Sequence, residues 1–442
     1  MNSINKKSKK PLYEQLYENL RDDILSGKMT AGEKLPSKRA LAERLQVSVI
    51  TVENAYSQLI AEGYVRAAER SGYYVQYSGG AVKLPSVKEL PKPPQKADGL
   101  PLEPQANTEL FPFSVWTRLM RSVILEKGTA LLQPVTAGGA MELREAISGY
   151  LYRARGFYQP HERIIIGAGT EYLYNLLIQL LGREKRYGIE NPGFEKLPKI
   201  YALNGVDCEY ISLDSSGLSA SELHEKNVDV AHISPAHHFP TGLVMPISRR
   251  REIMRWAEQA GRFIIEDDYD SEFRWSGRPM PTMFASDTTG RVIYINTFSR
   301  TIAPSVRISY MCLSEELYEK WRETLGFYAC PVPAFEQYTL SRFISEGGFE
   351  RHINRSKKRF RRIRELVLQM ISKYPDVQIS EENAGLHFTV FAPESSQKII
   401  GECEKCGVKI TPLSDYYANS SDCEEGFFVV NYSNADESGI IK

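Results

Sequence analysis

RIIIGAGTEYLYNLLIQLL, residues 163–181, reads as a strand, a glycine turn and a helix in immediate succession. Ile164, Ile165 and Ile166 form an apolar strand, and from Tyr172 to Leu181 the apolar residues follow helical spacing. Gly167-Ala168-Gly169-Thr170 joins them. A glycine turn opening onto a helix offers free backbone N–H groups and the positive end of the helix dipole, which together make an anion site. The same alternation recurs in the predicted helix 247–260 and the strand Arg262-Phe263-Ile264-Ile265. This implies an α/β fold with a largely parallel sheet, which binds ligands at the carboxyl ends of its strands.

Outward from this segment, 442 residues exceed the usual limit of one hydrophobic core, so more than one unit is expected. Net charge is zero, and no apolar run approaches the ~18 residues of a membrane span. The basic start MNSINKKSKK leads into an amphipathic helix and not an apolar stretch, so a cytoplasmic location without membrane attachment is expected. Six cysteines are too sparse for a disulfide framework. The close pair Cys403 and Cys406 lacks the second ligand pair a zinc site needs, and no metal is expected. The adjacent His237 and His238 are read as hydrogen-bonding or pocket-lining residues, because neighbouring side chains of an extended chain point apart.

At the amino terminus, Leu12, Leu16, Leu20 and Ile24 mark an amphipathic helix ended by Gly27. Ser37 and Ser48 are candidate N-caps of two further helices, the second running from about Val49 to Glu62. Two short helices joined by a tight turn are the helix-turn-helix geometry, whose later helix enters the major groove of DNA. Residues 66–75, with Gly72 at the expected turn, read as a small hairpin, completing a winged helix-turn-helix over residues 1–77. Residues 78–105 carry six prolines among scattered lysines and are expected to be an extended linker. A large domain over residues 106–442 follows.

Residues 11–75, through Pro36-Ser37-Lys38-Arg39 and Glu62-Gly63-Tyr64, resemble the GntR family of bacterial DNA-binding domains. The resemblance implies a double-stranded DNA operator, with Lys38 and Arg39 on phosphates or bases, Ser48, Thr51 and Asn54 facing the groove, and Arg70 and Gly72 shaping the wing. Val49 departs from the pattern, standing where many members carry an arginine that reaches a base edge. From Leu110 nearly to the end, the chain resembles the aminotransferase-like domain of MocR/GabR regulators, through Leu143 to Ile147, Glu190 to Phe194, Ser234 to Gly242, Glu266 to Arg274 and Ala384 to His387. That implies a fold-type I aminotransferase-like domain with a small C-terminal α/β subdomain, a homodimer, and a small-molecule effector.

The resemblance also implies a pyridoxal phosphate pocket. Asp267 would pair with the ring nitrogen, Tyr269 would reach the phenolic oxygen and Phe194 would stack on the ring. Gly169, Thr170, Thr297, Ser299 and Arg307 would surround the phosphate, with His238 nearby. Arg300 stands where fold-type I aminotransferases carry the lysine that bonds the cofactor, and guanidinium stays protonated and forms no Schiff base. No lysine lies between Lys226 and Lys320, and no arginine follows Arg364 to clamp a substrate carboxylate. The cofactor is therefore expected to be non-covalent if bound, and the protein a sensor without catalysis. A working aminotransferase tethered to DNA, or a large domain that only dimerises, are the alternatives. The cationic helix from Phe349 to Leu366 is read as a solvated face, a subunit contact or a DNA-phosphate contact.

Overall fold

The computed structural model describes residues 10–69, 71–77, 110–275, 280–380, 383–435, 437 and 440. The chain divides into two compact units, Met1–Leu100 and Pro101–Lys442. Arg70 and the expected linker fall outside the described residues.

In the first unit, α1 (Leu12–Leu25), α2 (Lys38–Leu45) and α3 (Val49–Ala61) precede the strands β1 (Val65–Ala68) and β2 (Gly72–Val75). The i, i+4 residues Leu16, Leu20 and Ile24 pack against Leu41, Val52, Tyr56 and Leu59 in one core. Ser37 Oγ accepts from Ala40 N at the start of α2, and Ser48 Oγ accepts from Thr51 N at the start of α3. Between them Gln46 turns the chain in the left-handed region at φ 49°. The wing differs from expectation in one respect: Gly72 is not the turn but the first residue of β2, opposite Ala68. It carries φ +115°, and a Cβ there would stand 3.1 Å from Lys34 Cε. Residues 32–35 run along the free edge of β2, with Leu35 N donating to Tyr73 O and Val75 N to Glu33 O.

The second unit is built on an eight-stranded sheet. Its strands are β3 (Ile164–Gly167), β4 (Tyr187–Asn191), β5 (Cys208–Asp214), β6 (Gly217–Leu218), β7 (Val230–Ile233), β8 (Phe263–Asp267), β9 (Val292–Thr297) and β10 (Ser309–Cys312). The order is β3-β10-β9-β8-β7-β4-β5-β6. Neighbours from β9 through β5 are parallel, while β10 runs antiparallel to both β3 and β9, and β6 antiparallel to β5. Alternation along each strand feeds two cores. Ile165, Ile293 and Ile295 face the helix Thr170–Leu181, whereas Ile164, Ile166 and Tyr294 face the opposite layer.

A smaller antiparallel sheet completes the unit: β11 (Gln378–Ser380), β12 (His387–Phe391), β13 (Lys409–Pro412) and β14 (Phe427–Asn431), in the order β11-β12-β14-β13. The long helix Gly348–Ile371 packs Phe360, Ile363 and Val367 onto its Phe388, Val390 and Val430. The cations of that helix mostly lie on its exposed side, which is common to the three readings of the charge run.

Loss of the α2 cap provides a local test. Ser37→Ala removes the acceptor of Ala40 N and is expected to destabilise the amino-terminal unit by about 1 kcal/mol, read as a shift in that unit's transition during chemical denaturation of the full chain.

Candidate functional site

Parallel strand direction brings the ends of β4, β7, β8 and β9 to one edge of the sheet, and a cavity of about 610 Å³ opens there. Asp267 ends β8, Thr297 ends β9 and Ser234 follows β7; all three line it. Thr170, Phe194, Tyr269, Ser299, Arg300 and Arg307 also stand on its wall, so the cavity gathers most of the residues expected around a cofactor.

Asp267 is held by an aromatic network. Tyr174 Oη donates to its Oδ2, and His232 Nε2 lies 3.8 Å from the same oxygen. Tyr201 Oη stands 2.9 Å from His232 Nδ1, and with Tyr201 as donor the ring's proton sits on the nitrogen facing Asp267. Asp267 Oδ1, by contrast, is buried without a partner. A buried carboxylate oxygen with an unused acceptor site on a cavity wall fits a cationic N–H donor such as a protonated pyridine nitrogen.

The anion end of the cavity is formed by Gly169, Thr170 and Arg307. Gly169 has φ +92°, and a Cβ there would lie 2.6 Å from Arg307 Nη2, so only glycine lets the guanidinium close over the helix start. Arg307 also lies 3.5 Å from Glu171, which in turn is 3.8 Å from Lys196. The hydroxyls expected to face the phosphate are engaged within the loop instead. Ser299 Oγ donates to Val306 O at 2.7 Å, and Thr297 Oγ1 accepts from Ser309 Oγ at 2.8 Å and from Ser299 N at 3.2 Å. They shape the turn, while the Arg307 guanidinium stands beside Gly169 at the start of the helix.

His238, expected among the cofactor contacts, stands behind the wall: its Nδ1 is 2.8 Å from Thr241 Oγ1 and its Nε2 3.6 Å from Glu190 Oε2. Burial lowers this imidazole to about 3 and raises the Glu190 carboxyl to about 8, so the contact joins two neutral groups and not an ion pair. The two histidines do point apart, His237 facing Asp270 at 3.0 Å.

Arg300 lies exposed on the short helical turn Phe298–Thr301, with no hydrogen bond or ion pair among the described residues. Its charge reaches Tyr269, whose phenol burial holds well above its ordinary range and Arg300 draws back down. Sequence reasoning missed Tyr174, and it missed Lys196 and Lys199, which the helix Lys196–Leu203 brings to the cavity wall from far away in the chain. The absence of lysine around Arg300 in sequence is thus not an absence in space.

On the first unit, Lys38 donates to Glu53 and lies over the Tyr73 ring, which ties α2 to α3 and the wing. Arg39 is exposed and unpaired among the described residues. Ser48 and Thr51 share a 2.8 Å hydroxyl contact at the start of α3, and Asn54 is exposed one turn on. Val49 and Ile50 are 43% and 67% exposed there, so the tip of α3 is apolar. Lys34 and Arg66, also missed from sequence, sit over Tyr74 on the wing.

Residues 12–75 match the family model of bacterial regulatory proteins of the gntR family. The uncharacterized HTH-type transcriptional regulator YdeL of Bacillus subtilis (strain 168) is 36% identical over 416 residues, 92% of this chain and 90% of that protein. The chain belongs to the MocR/GabR family of GntR-type transcriptional regulators. The family's HTH-type pyridoxine biosynthesis transcriptional regulator PdxR of Corynebacterium glutamicum is 29% identical, covering 92% of this chain and 89% of its own length. Among solved structures, an archaeal alanine:glyoxylate aminotransferase superposes with a TM-score of 0.67 at 23% identity, over 76% of this chain and 86% of that one, which places the second unit in the aminotransferase fold. No helix among the described residues is long and apolar enough to cross a membrane.

The raised Glu190 gives this regulator a pH signature. Its folded value near 8 lies above the ordinary 4.5, so the folded chain binds the extra proton between them, and this contribution to stability, full below about 4.5, is lost as pH rises through about 8. Glu190→Gln is expected to flatten that part of the stability–pH profile, measured by denaturant midpoints across the interval.

Proposed function

We propose that this transcriptional regulator senses pyridoxal phosphate or a closely related anionic pyridine, held without a covalent bond and without transamination. The observation that carries the reading is the pairing of an unpartnered, buried Asp267 Oδ1 with Arg300 at the expected lysine position on the same cavity. Asp267 would hold the ring nitrogen, Tyr269 the phenolic oxygen, Phe194 one ring face, and Arg307 with the Gly169–Thr170 turn the phosphate. When bound, the cofactor supplies an electron-withdrawing ring and an aldehyde; the chain's part is to orient it and to answer its charge. Lack of any arginine after Arg364 supports loss of the substrate clamp. The pyridoxine-related name of PdxR favours this ligand class over a large unit that merely dimerises.

The reading continues to the whole chain. Residues 1–77 bind an operator, residues 78–105 act as linker and residues 106–442 bind effector and dimerise, in the cytoplasm. Phe113, Leu125 and Leu132 are each about two-thirds or more exposed within the helix Phe113–Lys127 and the turn after it, an apolar run suited to a second copy. At the operator, Val49 and Ile50 suit thymine methyl groups where an arginine would read guanine, while Arg39, Lys34 and Arg66 suit phosphates.

Two experiments test the two halves. Borohydride reduction with pyridoxal phosphate, followed by mass spectrometry, is expected to trap no pyridoxyl adduct on the native chain. Arg300→Lys is expected to yield one at residue 300. An adduct on Lys196 or Lys199 in the native chain would overturn the non-covalent reading. At the other end, Arg39→Ala is expected to weaken operator binding in a gel-shift titration and to reduce its salt slope by about 1, as loss of a phosphate contact does, and unchanged binding would contradict its placement on DNA.

A further inference from the structure

His237, Asp270 and His387 come from three distant segments: the loop after β7, the loop after β8 and the first residue of β12. All three are buried, at 2%, 4% and 3% exposure, and they offer ligand atoms within 4.8 Å of one another. His237 Nδ1 faces Asp270 Oδ2 at 3.0 Å, Oδ1 at 3.1 Å and Tyr269 Oη at 3.4 Å. One His237 N–H can fork to both oxygens of a single carboxylate, which leaves the Tyr269 hydroxyl with no bond from this nitrogen. Its other nitrogen, Nε2, is buried with no partner, so the far edge of the ring is not fixed by a hydrogen bond. The His387 ring lies against it with centroids 4.2 Å apart, and His387 Nε2 is 3.3 Å from His238 O, which leaves Nδ1 of that ring as its ligand atom.

We propose that His237, Asp270 and His387 form a binding site for a divalent metal ion, zinc being the best match, with Tyr269 Oη as a fourth donor. Two imidazoles and a carboxylate are the donor set that zinc and its neighbours in the first transition row select. A buried carboxylate is otherwise costly unless it is paired or coordinates a metal. A cavity of about 20 Å³ borders His237 and Asp270 on the side away from His387 and Tyr269, with Arg274 also on its wall. Arg155 shares that cavity but is paired with Asp268. Metal–ligand bonds of about 2.0–2.1 Å in a tetrahedron set neighbouring donors roughly 3.3 Å apart, so His237 and Asp270 already stand near that spacing and the donors still up to 4.8 Å apart would have to close on the ion. The turn that delivers His387 leaves little slack: Gly385 has φ +65°, and a Cβ there would stand 1.7 Å from His237 Cε1. A bound ion would join β12 of the small sheet to the loop carrying Tyr269, linking the C-terminal subdomain to the cavity wall.

The site is tested on the full chain, stripped with a chelator and titrated with cobalt(II), whose ligand-field bands report a low-symmetry nitrogen and oxygen environment. The expected result is one cobalt per chain, displaced by zinc. His387→Gln and Asp270→Asn, checked for folding by circular dichroism, are expected to weaken binding by ~100-fold or more, because loss of even an outer-shell partner costs about 10–100-fold. Tyr269→Phe should retain the ion with altered bands, and the double change Cys403→Ser, Cys406→Ser should leave the titration unchanged. Absence of stoichiometric binding in the native chain, binding that survives His387→Gln, or binding lost with the two cysteines would each overturn the proposal.

Discussion

The direction of the parallel strands is the constraint on which the second unit depends. Because β4, β7, β8 and β9 all run the same way, the residues that follow them arrive together at one edge, however far apart they lie in sequence. Glu190, Ser234, Asp267 and Thr297 span more than 100 positions and share one cavity. Antiparallel β10 then closes the sheet by returning the chain from the turn that bears Arg300 and Arg307, so the two arginines face the same space from opposite ends of one loop.

What could be read in the sequence follows from how local each signal is. Caps at Ser37 and Ser48, the strand–turn–helix at 163–181 and the i, i+4 stripe of α1 are fixed by neighbours within a few residues, and the structure reproduces them. The motifs around Asp267 and Arg307 were legible because they are contiguous. Lys196 and Lys199 were not, since a cavity's far wall is set by tertiary packing and leaves no trace near residue 300. Nor was the fate of the Thr297 and Ser299 hydroxyls: a hydroxyl in a phosphate-loop pattern looks like a ligand contact until Val306 O is seen 2.7 Å from Ser299 Oγ. Pairing of His237 with His387 depends on the small sheet packing against the large one, which periodicity does not encode.

The acidic segment from Glu266 to Glu272 illustrates how position, not composition, assigns a role. Strand alternation sends Glu266 and Asp268 to one side of β8 and Asp267 to the other. Glu266 accepts from Met283 N and Phe284 N and holds the start of a short helix. Asp268 meets Arg155, Tyr294 and Ser271, and Glu272 meets Tyr150, so these carboxyls bind the sheet to the layer behind it. Burial and the neighbouring Asp268 charge raise Glu266 and Glu272 to about 7. Asp267 alone of these lines the cavity.

Arginine at position 300 changes what that cavity can do more deeply than a loss of one bond would. A lysine there could bond an aldehyde as an imine that takes up or gives up a proton, whereas a guanidinium stays protonated and forms no such bond. Arg300 and Arg307 thus join Lys196 and Lys199 on the cavity wall, with the Asp267 carboxylate at the end of β8. Under the proposed function, such a distribution would favour a ligand with two separated anionic groups and a protonated ring nitrogen, recognised by charge and not by a covalent bond. Because Glu171 already contacts Arg307, an incoming anion must compete with a carboxylate of the chain itself. In the proposed complex that competition would weaken binding and keep it reversible, which is the property a sensor requires and a catalyst with a covalently anchored cofactor does not.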